Sequence, residues 1–419
     1  MADHRLFENL TRFDPGDIDR VFGAEFALRT PADGAPLAAV RRVALFAEAF
    51  LPKVDGVSKT AFLTLRYLQQ TGREALVFAP DIAIGALGNT RVVRFPSLGF
   101  PKAPETRMAF PHPQIIHEIR AFQPDLIHLF SPALMSVSGM LLGRALGIPV
   151  IANYQTDLPG YAPVYGFPAF TQRMTRDWLR FLHNGCHLTL APSHFTLRQL
   201  RRAGYKRLRH WGRGVDNERF QPLRYSPQMR TRLLNGRDPQ ALLCLYVGRL
   251  AAEKRVDLLV EVARTPGVAL TIVGDGALRE DLERIFADTA THFTGYMYGE
   301  ELAQAYASAD VFLFTGPNET FGQVVQEAMA SGLPSVVIDQ GGAADLVQQG
   351  VSGFICPPHP GKFAEYVRRL RDDAALRRSM ARAARRAAEN KPWEALMAQL
   401  EDYYREALDM NARLHAIAG

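Results

Sequence analysis

Short apolar runs of strand length alternate along most of the chain with stretches whose apolar positions repeat at the helical period. VALFAEAF (43–50), EALVFAP (74–80), DLIHLF (125–130) and PVIAN (149–153) read as buried strands, and AFLTLRYLQQ (61–70) reads as a helix after the first of them. The second half repeats the scheme with ALLCLYV (241–247), ALTIV (269–273) and VFLF (311–314). Strands alternating with helices predict parallel sheets covered on both faces. Ligands of such sheets collect at the carboxyl ends of the strands. One apolar region, 131–152, approaches the length of a membrane span. Arg144 and the break at Gly147, Ile148 and Pro149 split it into a buried helix and a buried strand. Residues 391–414 predict one long amphipathic helix.

Residues 1–40 stand outside this pattern, because Asp14, Pro15 and Gly16, and the proline-bounded segment 31–36, are turn or linker material. A first domain is expected over 41–220 and a second over 221–392, with the crossing at Arg213, Gly214, Val215 and Asp216 and a final helix over 393–419. A chain of 419 residues suffices for two cores. With 47% hydrophobic and 22% charged residues it has ordinary globular composition. The net charge of +6 permits attraction to phosphate-bearing partners and names none. Cys186, Cys244 and Cys356 are scattered, which speaks against a disulfide framework or zinc site and suits a reducing cytosol. The acidic, polar N-terminus carries no leader pattern. Asp17-Ile18-Asp19 is formally a D-x-D metal motif but lacks the strand end such a site needs.

The chemistry gathers in 317–334, PNETFGQVVQEAMASGLP, where Glu319 and Glu327 are separated by seven residues. Val324, Val325, Ala328 and Met329 share one helical stripe, and Gly332 and Pro334 end the helix. Phe321, Gly322 and Gln323 then sit at a helix N-terminus, where free N–H groups favour oxygen-rich ligands. Eight helical residues rise roughly 12 Å, the scale from the hexose to the ribose of a nucleotide sugar. Carboxylates suit vicinal hydroxyls because each accepts two hydrogen bonds; two such acids equally suit a wet helix face. Arg249 and Lys254, at another strand-to-helix turn, can grip a diphosphate from two sides. Gly274-Asp275-Gly276 has two glycines of a dinucleotide fingerprint, but Arg279 replaces the third, against a nicotinamide or flavin site. LPKVDGVSKT places Gly56 where a backbone could approach an anion. Arg198, Arg201, Arg202, Lys206, Arg207, Arg209 and Arg213 form a basic stretch. It reads as a lipid-phosphate surface, as a solvated helix, or as a nucleic-acid surface without any accompanying motif.

E-x7-E within NETFGQVVQEAMASGLP resembles the donor-site motif of retaining GT-B glycosyltransferases of the family 4 type. The closer resemblance, from Val43 to Pro357, is to bacterial GDP-mannose-dependent α-mannosyltransferases acting on glycolipids. It rests on AEAFLPKVDGVS, YQTD, WGRGVDNERF, GRLAAEK, ELAQAYASADVF and ETFGQVVQEAMASGLP. The resemblance implies an α/β chain of two Rossmann-like domains facing across a cleft, with the last helix crossing back to the first. Arg249, Lys254 and Glu319 would be catalytic. Glu319 and the amides of Phe321, Gly322 and Gln323 would hold the transferred sugar, and Glu327 the ribose. Gly274, Asp275, Met297 and Tyr298 would line the nucleotide, although Met297 and Tyr298 suit a core role too. The Gly56 loop would cover the diphosphate, with Lys53, Asp55 and Ser58 bordering the acceptor beside Tyr154 and Asp157. Gln155 stands where the family commonly has a histidine that contacts the donor sugar; an amide cannot change charge near neutrality.

The implied reaction moves a hexose, mannose favoured, from a nucleoside-diphosphate sugar to a lipid-type or sugar acceptor. Configuration is retained by front-side attack, and neither a metal nor a cofactor is needed. A membrane surface is the implied partner, nucleic acid is not, and the expected location is cytoplasmic, at the inner face of the membrane. UDP-sugar transfer (glucose, sulfoquinovose or N-acetylglucosamine), epimerisation of a sugar nucleotide and non-catalytic sensing remain alternatives.

Overall fold

The computed structural model describes residues 38–418, except 52–55, 82, 84, 101–102 and 131. The chain forms two compact units. One ends at Arg213 and is rejoined by the chain from Trp393 onward; the other runs from Gly214 to Pro392. The units part at Arg213 rather than at 220 because Val215 and Phe220 are buried in the second unit's core. Of the expected N-terminal extension, residues 1–37 lie outside the described residues.

The first unit contains β1 (Arg42–Ala47), β2 (Glu74–Pro80), β3 (Ala86–Leu87), β4 (Thr90–Phe95), β5 (Ser97–Phe100), β6 (Ala103–Ala109), β7 (Leu126–Phe130), β8 (Val150–Asn153), β9 (Leu188–Ala191) and β10 (Leu208–His210). Eight of them form a sheet in the order β10-β9-β8-β7-β1-β2-β4-β3, and β5 and β6 pair separately. The sheet is parallel except where β3 meets β4. Both faces are covered, as the apolar runs require. Val43, Leu45 and Ala47 enter one core cluster, while Ala44 and Phe46 enter another. That is the two-residue period of a strand buried on both sides. The apolar region 131–152 splits as expected into a helix, Ser136–Leu146, and β8, with Gly147 as a left-handed cap. No helix among the described residues is long and apolar enough to cross a membrane.

The helix Trp393–Ala418 belongs to this unit and buries Trp393, Met397, Leu400, Tyr404 and Ala407 along one stripe. Glu401 on the same face receives both ends of the buried Arg73 guanidinium, at 2.6 and 2.8 Å. Tyr404 meets His128 of β7 at 3.0 Å, and Asn153 of β8 meets the other ring nitrogen at 3.1 Å. Burial lowers His128 to about 4, against the pull of Asn153, so the ring stays neutral.

The second unit contains β11 (Leu242–Val247), β12 (Val268–Val273), β13 (His292–Gly295), β14 (Val311–Phe314), β15 (Ser335–Ile338) and β16 (Gly353–Cys356). They form one parallel sheet in the order β13-β12-β11-β14-β15-β16. The order of strands reverses between β11 and β14 here, and between β1 and β7 in the first unit. Connections diverge to opposite faces at such a reversal and leave a crevice at the carboxyl ends of the two strands.

Candidate functional site

The crevice of the second unit brings together residues that the sequence singled out. The turn after β11 supplies Arg249 and Lys254, and the loop after β14 supplies Glu319. Lys254 Nζ and Glu319 Oε1 form an ion pair, although 65 residues separate them. Arg249 Nη2 donates to Oε1 of Glu253 at 2.5 Å, and the Glu253 carboxylate is buried. Thr315 anchors the turn by donating to the Lys254 carbonyl at 2.7 Å. Two cations and two carboxylates therefore balance. Burial lowers the Lys254 ammonium to about 8; the Glu253 carboxylate opposes that shift and the Arg249 guanidinium adds to it. Contact with the Glu319 carboxyl group also opposes that shift.

The helix Gln323–Ala330 follows Glu319 directly, and Gly322 at its N-cap has φ 95° and ψ 57°. A Cβ at Gly322 would lie 2.8 Å from the Ala343 Cβ, so both backbone conformation and space demand glycine. The first N–H groups of the helix that this turn opens lack intrahelical acceptors. Phe321 is buried beside it, and Gln323 donates to the Gly214 carbonyl at 3.1 Å. Glu327, deeper on the helix, is also buried. Its Oε2 accepts from the Tyr306 hydroxyl at 3.4 Å. Burial, with Glu327 adding to it, pushes the Tyr306 phenol well above its ordinary range, so it remains a donor. The paired acids therefore do not form a wet helix face. One is in an ion pair in the crevice and the other is in a buried hydrogen bond.

The turn after β12 closes the crevice from the other side. Gly274 has φ 135°, and a Cβ there would lie 2.0 Å from the Gly248 carbonyl oxygen, so the two turns touch through backbone. The Asp275 carbonyl accepts from Leu250 N at 2.9 Å and from the Tyr296 hydroxyl at 3.0 Å. Its carboxylate accepts from Gly276 N at 2.7 Å and from Arg279 at 3.1 Å. Arg279, which breaks the glycine fingerprint, thus holds the loop in shape. Met297 is buried in the core, and Tyr298 stacks on Tyr296 with ring centroids 5.8 Å apart.

In the first unit, Gly56 heads the helix Gly56–Gln70 and is exposed, and a Cβ there would meet nothing within 4 Å. The chain itself therefore does not require a glycine at 56. Ser58 is fully buried on the core face of that helix, which corrects its expected place at an open acceptor border. Lys53 and Asp55 lie outside the described residues. Tyr154 and Asp157 come together: the hydroxyl donates to Oδ1 at 3.2 Å, and the same oxygen caps the helix Leu158–Val164 through Gly160 N at 3.1 Å. Burial pushes the Asp157 carboxyl up, against the Gly160 and Tyr154 bonds and the Arg176 charge. Gln155 between them is buried.

A residue that sequence reasoning passed over stands at the reversal point of this sheet. Glu48 follows β1 and is buried. Its Oε1 accepts from Ala133 N at 3.1 Å and Ser136 N at 2.9 Å, which holds the turn after β7 and the start of the helix Ser136–Leu146. Burial raises its carboxyl to about 7, against those N–H bonds. The available signal was a single acid inside VALFAEAF, an apolar run.

The basic stretch divides. Arg207 turns inward onto the carbonyls of Cys186 and His187, Arg209 pairs with Glu406, and Arg213 is buried over Trp211. Arg198, Arg201, Arg202 and Lys206 remain on the surface. Among the described residues no group of three or more His, Cys, Asp or Glu is placed to hold a metal. The three cysteines are buried and form no disulfide.

Two family descriptions match the two halves: "Glycosyltransferase Family 4" over residues 54–219 and "Glycosyl transferases group 1" over 233–387. The chain is 42% identical over 373 residues to a GDP-mannose-dependent alpha-mannosyltransferase of Mycobacterium tuberculosis, covering 87% of this chain and 96% of that one. It is 36% identical to the protein of that name from Corynebacterium glutamicum, covering 89% and 91%. It is also 37% identical to the sulfoquinovosyl transferase of Arabidopsis thaliana, covering 88% and 74%. Among solved structures, a sucrose-phosphate synthase from Thermosynechococcus elongatus aligns with TM-score 0.71 at 20% identity, covering 87% and 98%. WaaG, a glycosyltransferase of lipopolysaccharide biosynthesis, aligns with TM-score 0.66 at 16% identity, covering 86% and 99%. These last two establish the GT-B fold.

Proposed function

The chain belongs to the glycosyltransferases that join a family 4 domain to a group 1 domain, and on that premise we propose that it transfers mannose from GDP-mannose to a lipid-type acceptor. The donor lies at the carboxyl ends of β11 and β14. Lys254 and Arg249 take its diphosphate, Glu319 and the helix amides beside Gly322 take the hexose hydroxyls, and Glu327 takes the ribose. As the sugar–phosphate bond breaks, negative charge grows on the leaving oxygen next to fixed cations. Preorganised charge of this kind is a large catalytic term. The departing phosphate accepts the proton of the acceptor hydroxyl, which enters from the same side, so configuration is retained and no metal is needed. The work then occurs at the cytoplasmic face of a membrane, where such acceptors reside.

The observation that carries this reading is the Lys254–Glu319 pair at the mouth of the second sheet, beneath a helix N-terminus shaped by a left-handed glycine. A donor with two phosphate charges and vicinal hydroxyls satisfies both members at once. The likeness to mannosyltransferases over nearly the whole chain supports GDP-mannose as that donor. The plant relative supports a second reading, with a UDP-linked sulfonated hexose in the same grips.

A thermal-shift panel of GDP-mannose, UDP-glucose, UDP-N-acetylglucosamine and UDP-sulfoquinovose separates the readings, since only a ligand of the folded state raises Tm. GDP-mannose is expected to give the largest rise, and mannosyl transfer to an extracted lipid fraction should follow. A rise with UDP-sulfoquinovose alone would replace the first reading by the second. No rise with any of the four would remove both.

A further inference from the structure

The helix Ala169–Gly185 of the first unit buries Leu179, Leu182 and His183 against the protein. Its opposite face carries Phe170, Met174, Trp178 and Phe181, which are 64%, 65%, 37% and 52% exposed. These positions are four, eight and eleven residues from the first, so all four fall within about a quarter of the helix circumference. Other exposed large apolar side chains, such as Leu98, Leu223 and Leu414, come from separate elements. Here two phenylalanines, a methionine and a tryptophan make one continuous stripe. Contiguous exposed apolar surface of this kind marks a place where something docks.

The charge around the stripe decides what docks. Arg173, Arg176 and Arg180 run along one flank; Arg180 bonds the Ala203 carbonyl at 3.4 Å, which joins this helix to the end of the helix His194–Arg202. Arg198, Arg201 and Arg202 of that second helix are exposed, as is Lys206 just beyond it. Asp177 on the same flank is paired to Arg180 at 2.8 Å. An apolar ridge bordered by a cationic terrace matches an interfacial helix, whose apolar face enters the acyl boundary while cations meet lipid phosphates. A protein partner offering an apolar groove would leave most of those arginines unanswered.

We infer that the helix Ala169–Gly185 docks this protein on an anionic lipid bilayer, with Phe170, Met174, Trp178 and Phe181 inserted and the arginines of the two helices at the headgroups. The inference names the partner of the acceptor unit, and only its purpose rests on the lipid-acceptor reading above. Trp178 also ties the docked helix to the unit's own chemistry. Its Nε1 donates to the Ala133 carbonyl at 3.0 Å, in the turn whose amides Glu48 holds.

The test uses the full chain and vesicles without any sugar nucleotide. Protein is co-sedimented with vesicles containing phosphatidylglycerol and with vesicles of phosphatidylcholine alone. The wild type is expected to pellet with the anionic vesicles, and the Phe170→Ser, Met174→Ser, Phe181→Ser triple variant should lose about tenfold or more in partition coefficient. Circular dichroism checks that this surface variant is folded. If it is not, the Arg198→Gln, Arg201→Gln, Arg202→Gln variant serves instead and should lose the preference for anionic lipid. Brominated acyl chains should quench Trp178, because Trp211 and Trp393 are buried. Equal pelleting of wild type and variants, or no quenching, would overturn the assignment. So would stripe-dependent dimers in light scattering without vesicle binding, which would give the face to a second copy. Thermal shift by GDP-mannose should be unchanged in the stripe variant, so failure of docking and failure of the donor reading are separate results.

Discussion

Removing the Lys254 ammonium tests the central pair from two directions. The Lys254 side chain is 14% exposed and the Glu319 side chain 23% exposed, so the pair is partly, not fully, desolvated. Two unit charges 4 Å apart interact by about 4 kcal/mol at an effective dielectric near 20. For a donor diphosphate facing Lys254 through partly wet surroundings, about 3 kcal/mol is a fair share, which is about a hundredfold in kcat/KM. Without donor the effect is smaller, since water reaches Glu319 once the ammonium is gone, and about 1 kcal/mol of folding stability should be lost. Lys254→Ala is therefore expected to cost about two decades in GDP release with acceptor present, with Tm falling by only a few degrees. The double variant with Glu319→Ala should be less destabilised than the sum of the singles, because each single leaves one charge unanswered. The assays are coupled GDP release and thermal melts of the four proteins in the cycle. Turnover of Lys254→Ala within about threefold of wild type would refute the mechanistic half of this reasoning. Additive melting shifts would refute the structural half.

Three further expectations use other features. Glu48→Gln keeps an acceptor for Ala133 N and Ser136 N but cannot ionise. The wild-type carboxyl, raised from 4.5 to about 7, contributes stability below pH 4.5 that is lost as pH rises through 7, so the variant should match wild type at pH 5 and exceed it by about 2–3 kcal/mol at pH 8 in urea melts. A pH-independent difference would show that residue 48 does not titrate this way. Gly322→Ala meets both a left-handed backbone and the Ala343 Cβ, and should cost about 1–3 kcal/mol and abolish the Tm rise with donor; an unchanged rise would mean the cap does not shape the site. Arg73→Ala strands a buried Glu401 and should cost about 3–5 kcal/mol, whereas Arg73→Met with Glu401→Leu should recover most of it, as read by denaturant midpoints.

Much of the fold was legible because its signal is local. Apolar runs of strand length, each followed by a helical pattern, give two parallel sheets; that β11 and β14 lie side by side is set by the order of strands in the sheet, which no single run announces. The grouping of Arg249, Lys254 and Glu319 in one site was implied by the family resemblance, and the ion pair between Lys254 and Glu319 is visible only in the fold. What stayed hidden depends on contacts between distant segments. Nothing near Tyr306 announces that its hydroxyl meets Glu327, and nothing near Arg73 announces a carboxylate at 401. The basic stretch misled for a related reason. Clustering in sequence cannot tell a guanidinium that answers buried carbonyls, as at Arg207, from one left on the surface, as at Arg201. Ser58 misled because a hydroxyl in a polar loop motif turned out to start the buried side of a helix.

The return of the helix Trp393–Ala418 to the first unit bears on how the protein is made. The second unit is encoded as an insertion inside the first. During synthesis it is complete while Trp211 and the face around His128 still lack the segment that covers them. The first half of the chain must therefore wait, partly uncovered, for all of the second to leave the ribosome. A released chain truncated before residue 393 should bind chaperones through its first unit and be cleaved there by protease, while its second unit is resistant.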